Sequence, residues 1–269
     1  MEEHKEIPIS EFCNISVERD GIDSRYALSF TVEAIKNACS FFENYGFVVF
    51  NSIFSEEECH NTRNAMWEIM ETSCPGLSRD DPGTWSLYKS AGKYGLSMRG
   101  PCFQSVLVNN RQNEKLIYAL ESLIGEPILV GHDRFTIYRA TDVENCDGKL
   151  FATGPKNLHL DLNPWWWTES SGLVEAGLET LRYEDDQDFI KENNMVIRSM
   201  GRNVQCVMNM ADNLEEDGGT IVLPKFHRCI EKWSRDNTKL KRSLPWLELI
   251  GTDPLISFGQ RVPMKKVTQ

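Results

Sequence analysis

The chain carries five histidines, His4, His60, His132, His159 and His227, and only His159 has an aspartate two residues away, at Asp161. In an extended strand residues i and i+2 project from the same face, so this imidazole and this carboxylate would point together. Side by side they supply two of the three donors of a 2-His-1-carboxylate triad, the arrangement that holds non-haem Fe(II) and leaves coordination positions open. A His-x-Asp arises by chance about 0.3 times in a chain of this composition, so a hydrogen-bonded surface pair is the plainer reading of it. Trp165-Trp166-Trp167 follows shortly after. On a strand Trp165 and Trp167 would share one face and Trp166 the other. Core packing accounts for them most simply, whereas a functional reading puts them at the rim or wall of an apolar pocket beside the polar pair. His4, near the terminus, and His60, among polar neighbours, are expected in solvent, and His132 is expected to be structural.

The elements that would position these residues change character along the chain. Val32 to Asn44 has apolar residues at helical spacing and meets Gly46, a residue suited to the C′ position. Gly46-Phe-Val-Val-Phe50 is a short β-rich run. Ser55-Glu-Glu-Glu58 has the Ser and Glu of a capping box and predicts a helix to about Met70. The stretch from Cys74 to Pro101, rich in Gly, Ser and Pro, reads as a long loop. A third helix fits Gln112 to Ile124, closed by Gly125. Beyond Pro127 the runs Ile128–Tyr138, Leu158–Leu162, Asn203–Met210 and Thr220–Leu223 have strand composition. Asp217-Gly218-Gly219 is a turn signal just before the last of them. Helices first and strands later predict an α+β chain.

Composition narrows the function classes. The 269 residues carry a net charge of −11, with 41% hydrophobic and 10% aromatic residues, enough side chains for a packed core. An acidic balance argues against a duplex nucleic-acid binder, which needs clustered Lys and Arg. No apolar run reaches the roughly 18 residues of a membrane span, and the charged first residues lack a signal-peptide apolar region. Eight cysteines are scattered without a Cys-x-x-Cys pair. They read as thiols in a reducing compartment. The expectation is a soluble cytoplasmic protein with no nucleic-acid or membrane partner.

In order, Gly46-Phe-Val-Val-Phe50 with Phe54-Ser-Glu-Glu-Glu-Cys59, then His159-Leu-Asp161, then Asp217-Gly-Gly-Thr-Ile-Val-Leu-Pro-Lys-Phe-His227, resemble the phytanoyl-CoA dioxygenase family of Fe(II)/2-oxoglutarate-dependent oxygenases. The resemblance implies a double-stranded β-helix (jelly-roll, cupin-like) core over 126–269, with a mainly helical flank over 1–125, in a single domain. It implies Fe(II) held by His159, Asp161 and a distal histidine, with 2-oxoglutarate as co-substrate and hydroxylation of a small organic substrate as the reaction. The last segment resembles the family's Pro-Gly-Ser-His stretch, whose histidine is not usually the distal ligand. That ligand and the 2-oxoglutarate-binding Arg come later in the family, after a segment that Gln260-Arg-Val-Pro-Met264 resembles, and no histidine follows His227. The C-terminal jelly-roll strands are therefore expected to be missing. His227 is either a replacement third ligand or a pocket residue, and Arg139, Arg134 and Arg261 are the substitutes for the carboxylate-binding Arg. Weak Fe(II) binding and little turnover follow from this departure. The alternative is a non-catalytic jelly-roll binding protein.

Overall fold

The computed structural model describes residues 16–89, 104–125, 127–128, 135–138, 144, 148–149, 158–161, 163–165, 204–241, 247–249 and 253–266. In chain order these form α1 (Ile35–Tyr45), α2 (Glu56–Ser73), α3 (Ser105–Arg111), α4 (Glu114–Ile124), β1 (His159–Leu160), β2 (Ile221–Val222), α5 (Ile230–Asp236), β3 (Leu247–Glu248), α6 (Leu255–Phe258) and β4 (Gln260–Arg261). The strands pair antiparallel as β1–β3 and β2–β4. The chain divides into two units. One comprises Met1–Ile15, Leu158–Cys206 and Leu223–Gly259; the other comprises Ser16–Asn157, Val207–Val222 and Gln260–Gln269.

In the larger unit, local signals in the sequence set the helices. α1 buries Ala38 and Phe41, three positions apart on one face, and stops at Gly46, whose φ of 79° lets its N–H reach the Phe42 carbonyl. The Val32–Ala34 turn before it is a 3₁₀ helix. α2 opens with a complete capping box, in which Ser55 accepts from the Glu58 N–H and Glu58 accepts from the Ser55 N–H. The buried Thr62 on α2 hydrogen-bonds the Asn110 amide on α3 at 2.7 Å, joining the two helices through a satisfied polar contact. α4 starts at Asn113, which caps the Leu116 N–H, and ends at Gly125 with φ 84°. Ile53, Phe54, Cys59 and Leu116 form one apolar cluster, with Met208 and Met210 packed against it. A second joins Met70, Leu77 and Tyr88. A third joins Val17, Ala27 and Val262.

The smaller unit has its own apolar cluster of Trp165, Trp233, Leu247, Leu249 and Leu255, flanked by Leu158 and Leu160. α5 buries Trp233 and Ser234 and carries Glu231–Arg235 and Lys232–Asp236 pairs at i, i+4 on its exposed side.

Several expected strands are corrected. Leu158–Leu162 and Thr220–Leu223 shorten to the two-residue β1 and β2. Residues 204–210, within the expected Asn203–Met210 strand, are irregular. Gln205, Cys206 and Val207 are all exposed in succession, so no alternation of buried and open faces fixes a register there. Of Ile128–Tyr138, the described residues contribute only an isolated bridge at Thr136. The β-rich run ending at Phe50 makes one parallel bridge to Phe30 rather than a ladder. Within Cys74–Pro101, expected as a loop, Pro82–Leu87 is a 3₁₀ helix, and α3, α5 and α6 have no counterpart among the expected elements. The described residues thus combine helices with small sheets, as an α+β chain does, and among them no double-stranded β-helix is assembled.

Candidate functional site

β1 alternates as a half-buried strand should. Leu158 and Leu160 pack on the apolar cluster, while His159 turns outward. The strand is held by its antiparallel register with β3, His159 opposite Glu248 and Leu160 opposite Leu247, and by the Leu249 N–H donating to the Leu158 carbonyl at 3.1 Å. On the far side, the buried Asn163 side chain accepts from the Trp165 N–H at 3.1 Å. The Trp165 indole N–H donates to the Ser234 carbonyl at 2.9 Å. Asp161 therefore lies between two anchored points, Leu160 beneath the sheet and Trp165 in the core.

The i, i+2 geometry holds. His159 Nε2 lies 3.3 Å from Asp161 Oδ1. Two donors each about 2.1 Å from one ion and at right angles to each other are about 3 Å apart, so the pair fits two neighbouring positions on a first-row divalent metal. The other carboxylate oxygen, Oδ2, accepts from the Gln205 side-chain amide at 2.7 Å. Both side chains of the pair are open, with 39% and 50% of their surface exposed.

The other expected site residues are placed unevenly. His227 lies on the 3₁₀ turn Phe226–Arg228 and is exposed. Among the described residues no group of three or more His, Cys, Asp or Glu side chains is gathered to hold a metal, so His227 does not join His159 and Asp161 in one. The turn before it is informative. Lys225 stands where the resembled family has the Gly of Pro-Gly-Ser-His, and its φ is 65°. Its backbone takes the left-handed conformation that glycine adopts most readily. Trp165 is 2% exposed and packs against Trp233 with ring centroids 6.2 Å apart, so it is a core residue rather than a pocket wall. Trp166 and Trp167 lie outside the described residues, as do His4, His132, Arg134 and Arg139. His60 sits exposed on α2, its ring nitrogen 2.9 Å from the Asn64 amide, as its polar surroundings suggested.

Arg261, in the larger unit, is half-buried on β4 and donates to the Gly219 carbonyl at 3.0 Å. Tyr138 hydrogen-bonds Thr220 there; burial pushes its hydroxyl pKa up, while that bond and the Arg261 charge pull it down. The Asp217-Gly218-Gly219 turn forms as expected, with Asp217 accepting from the Leu214 N–H at 2.9 Å and φ of 98° and 96° at its two glycines. Its residues fix β2 against β4 and already engage Arg261.

Gln205 and Glu248 had no local signal. Both are brought to His159-Leu-Asp161 by chain returning from more than 40 residues away, which only the tertiary fold reveals.

A Dictyostelium discoideum protein named "Putative phytanoyl-CoA dioxygenase" is 30% identical to this chain over 236 residues, covering 86% of the chain and 66% of that protein. The two chains are homologous. No family model matches the chain, and no solved structure matches it. This chain spans about two thirds of its relative's length. The relationship supports a dioxygenase-like family. Among the described residues no helix is long and apolar enough to cross a membrane.

Proposed function

We propose that the protein is an Fe(II)/2-oxoglutarate-dependent oxygenase of the phytanoyl-CoA dioxygenase type, with a jelly-roll core, acting on a small organic substrate. The observation that carries the reading is the His159–Asp161 pair, 3.3 Å apart and displayed on one face of β1, in a chain homologous to a protein of that name. Its donor chemistry, one imidazole nitrogen and one carboxylate oxygen, is that of the facial triad. When bound, Fe(II) with 2-oxoglutarate supplies an oxidant strong enough for unactivated C–H bonds, and the protein's part is to hold and orient. His159 and Asp161 would hold the metal from adjacent positions, stiffened by β3 on one side and Trp165 on the other.

Arg134 and Arg139 are the proposed partners of the distal 2-oxoglutarate carboxylate, on the strength of the forked guanidinium that such a group prefers. Arg261 is a weaker choice because it already donates to the Gly219 carbonyl. His227 is proposed as a pocket residue rather than the third ligand, since it forms no three-donor group with the pair. The five described cysteines, Cys39, Cys59, Cys74, Cys206 and Cys229, are free thiols, which supports a cytoplasmic setting. An open pair with two protein donors would hold metal weakly, so slow turnover is expected.

The test is to incubate the protein with Fe(II), 2-oxoglutarate and O2 and to follow succinate. Succinate that His159→Ala and Asp161→Ala abolish supports the proposal. Metal bound at the pair with no succinate would point instead to a non-catalytic binding protein.

A further inference from the structure

We propose that Gln205 is a positioning residue for Asp161, fixing which carboxylate oxygen is offered to a metal. This rests on the reading of His159 and Asp161 as a metal-binding pair. A carboxylate on an exposed strand end can turn about its last bond and present either oxygen, or both, to an ion. Here the two oxygens have different neighbours. Oδ2 accepts from the Gln205 Nε2 at 2.7 Å, and Oδ1 faces His159 Nε2 at 3.3 Å. An amide N–H must donate, so the oxygen that Gln205 engages is turned away from the imidazole, and the remaining oxygen is the one beside His159. The arrangement favours one-oxygen ligation through Oδ1, the mode in which a single carboxylate takes one position and leaves others open.

The same bond gives the irregular chain around Gln205 a role. Gln205 and Cys206 are exposed and in no strand ladder, and the chain there is tied to β1 by a side chain rather than by backbone pairing. A glutamine suits the task because it donates without adding charge. A Lys or Arg there would repel the incoming cation, and a Glu would compete with Asp161 as a ligand. Groups that hydrogen-bond a metal's own ligands commonly change metal affinity by about 10- to 100-fold when removed. The openness of this site places the effect at the low end, about 10-fold.

The experiment uses Co(II), an air-stable stand-in for Fe(II), added to the whole chain while affinity and the visible d–d spectrum are followed. The variants are Gln205→Met, which keeps the length without a donor, and Gln205→Asn, which keeps the amide one methylene short of Asp161. Because Gln205 is exposed, both should unfold at the parent temperature. The inference expects each to bind Co(II) about 10-fold more weakly with a changed d–d envelope, while Asp161→Ala abolishes binding. If Asp161→Ala abolishes binding but both Gln205 variants match the parent in affinity and spectrum, the positioning role is overturned and the metal pair stands. If Asp161→Ala binds as the parent does, the metal pair itself is wrong, and the role of Gln205 falls with it.

Discussion

Gly219→Ala should be among the most damaging single-methyl additions in the larger unit, and its cost can be divided in advance. Gly219 has φ 96°, a conformation that costs an L-residue about 1–2 kcal/mol. Part of this is returned because alanine has less freedom to lose from the unfolded chain, leaving about 1 kcal/mol. The second cost is steric. A Cβ at Gly219 would fall 2.1 Å from Asn213 Oδ1 and 3.1 Å from its Cγ, more than 1 Å inside an ordinary C···O contact of about 3.3 Å. Asn213 cannot easily withdraw. Its side chain is 4% exposed, and its backbone N–H and C=O are both bonded to Met264 at 2.9 Å. Forced rearrangement of this kind costs about 1–3 kcal/mol, so the total is about 2–4 kcal/mol. Gly125 provides the comparison: its φ is 84° and nothing lies within 4 Å of a Cβ built there, so Gly125→Ala should cost only about 1 kcal/mol. The assay is urea unfolding followed by circular dichroism, for both variants and for Gly219→Ala in an Asn213→Ala background. There the cost should drop to the backbone share, a coupling of about 1–3 kcal/mol. If Gly219→Ala costs no more than Gly125→Ala, or the Asn213→Ala background gives no relief, the close approach of the Asn213 side chain to the turn is refuted.

Trp165→Phe should destabilise the smaller unit by about 0.5–1.5 kcal/mol, because it removes the indole donor from the Ser234 carbonyl, which keeps the Asn237 N–H at 3.3 Å; thermal unfolding checks this, and an unchanged midpoint would count against the bond. Lys225→Gly should raise stability by up to about 1 kcal/mol by releasing the left-handed strain at φ 65°, and a loss of stability on denaturation would show that the lysine side chain contributes more than its backbone costs. The Arg25 guanidinium holds the Asp23 carboxyl down to about 2 from its ordinary 3.8. A depressed carboxyl stabilises the fold above its unfolded pKa and loses that contribution as pH falls through the folded one, so Asp23→Asn should flatten the acid limb of the stability curve between about pH 4 and pH 2. An unaltered limb would place the pair outside the folding equilibrium.

What was legible in the sequence was local. The helix stops at Gly46 and Gly125, the Ser55 box and the Asp217-Gly-Gly turn each depend on a few adjacent residues, and each forms where those residues stand. The His159–Asp161 geometry belongs to the same class, since a two-residue alternation needs only an extended backbone. The strand-like runs misled because β composition records a preference for a half-buried surface, not the presence of a partner. Gln205, Cys206 and Val207 have the composition without a buried face, and Ile230–Asp236 is helical because Trp233 needs a core position and its charged neighbours pair at i, i+4. The three tryptophans suggested a pocket by their closeness to the pair, but Trp165 is drawn into the core by Trp233 and Ser234, nearly 70 residues away. Gln205 was hidden for the same reason: a side-chain contact across 44 residues has no periodicity to reveal it.

His159 and Asp161 are proposed to act together on one metal ion. Anaerobic Fe(II) titration by calorimetry, comparing the parent chain with His159→Ala and Asp161→Ala, tests it most directly. The expected result is weak, saturable binding in the parent that disappears in both variants while their unfolding temperatures stay within a few degrees of the parent's. Binding that survives unchanged in both variants would contradict it.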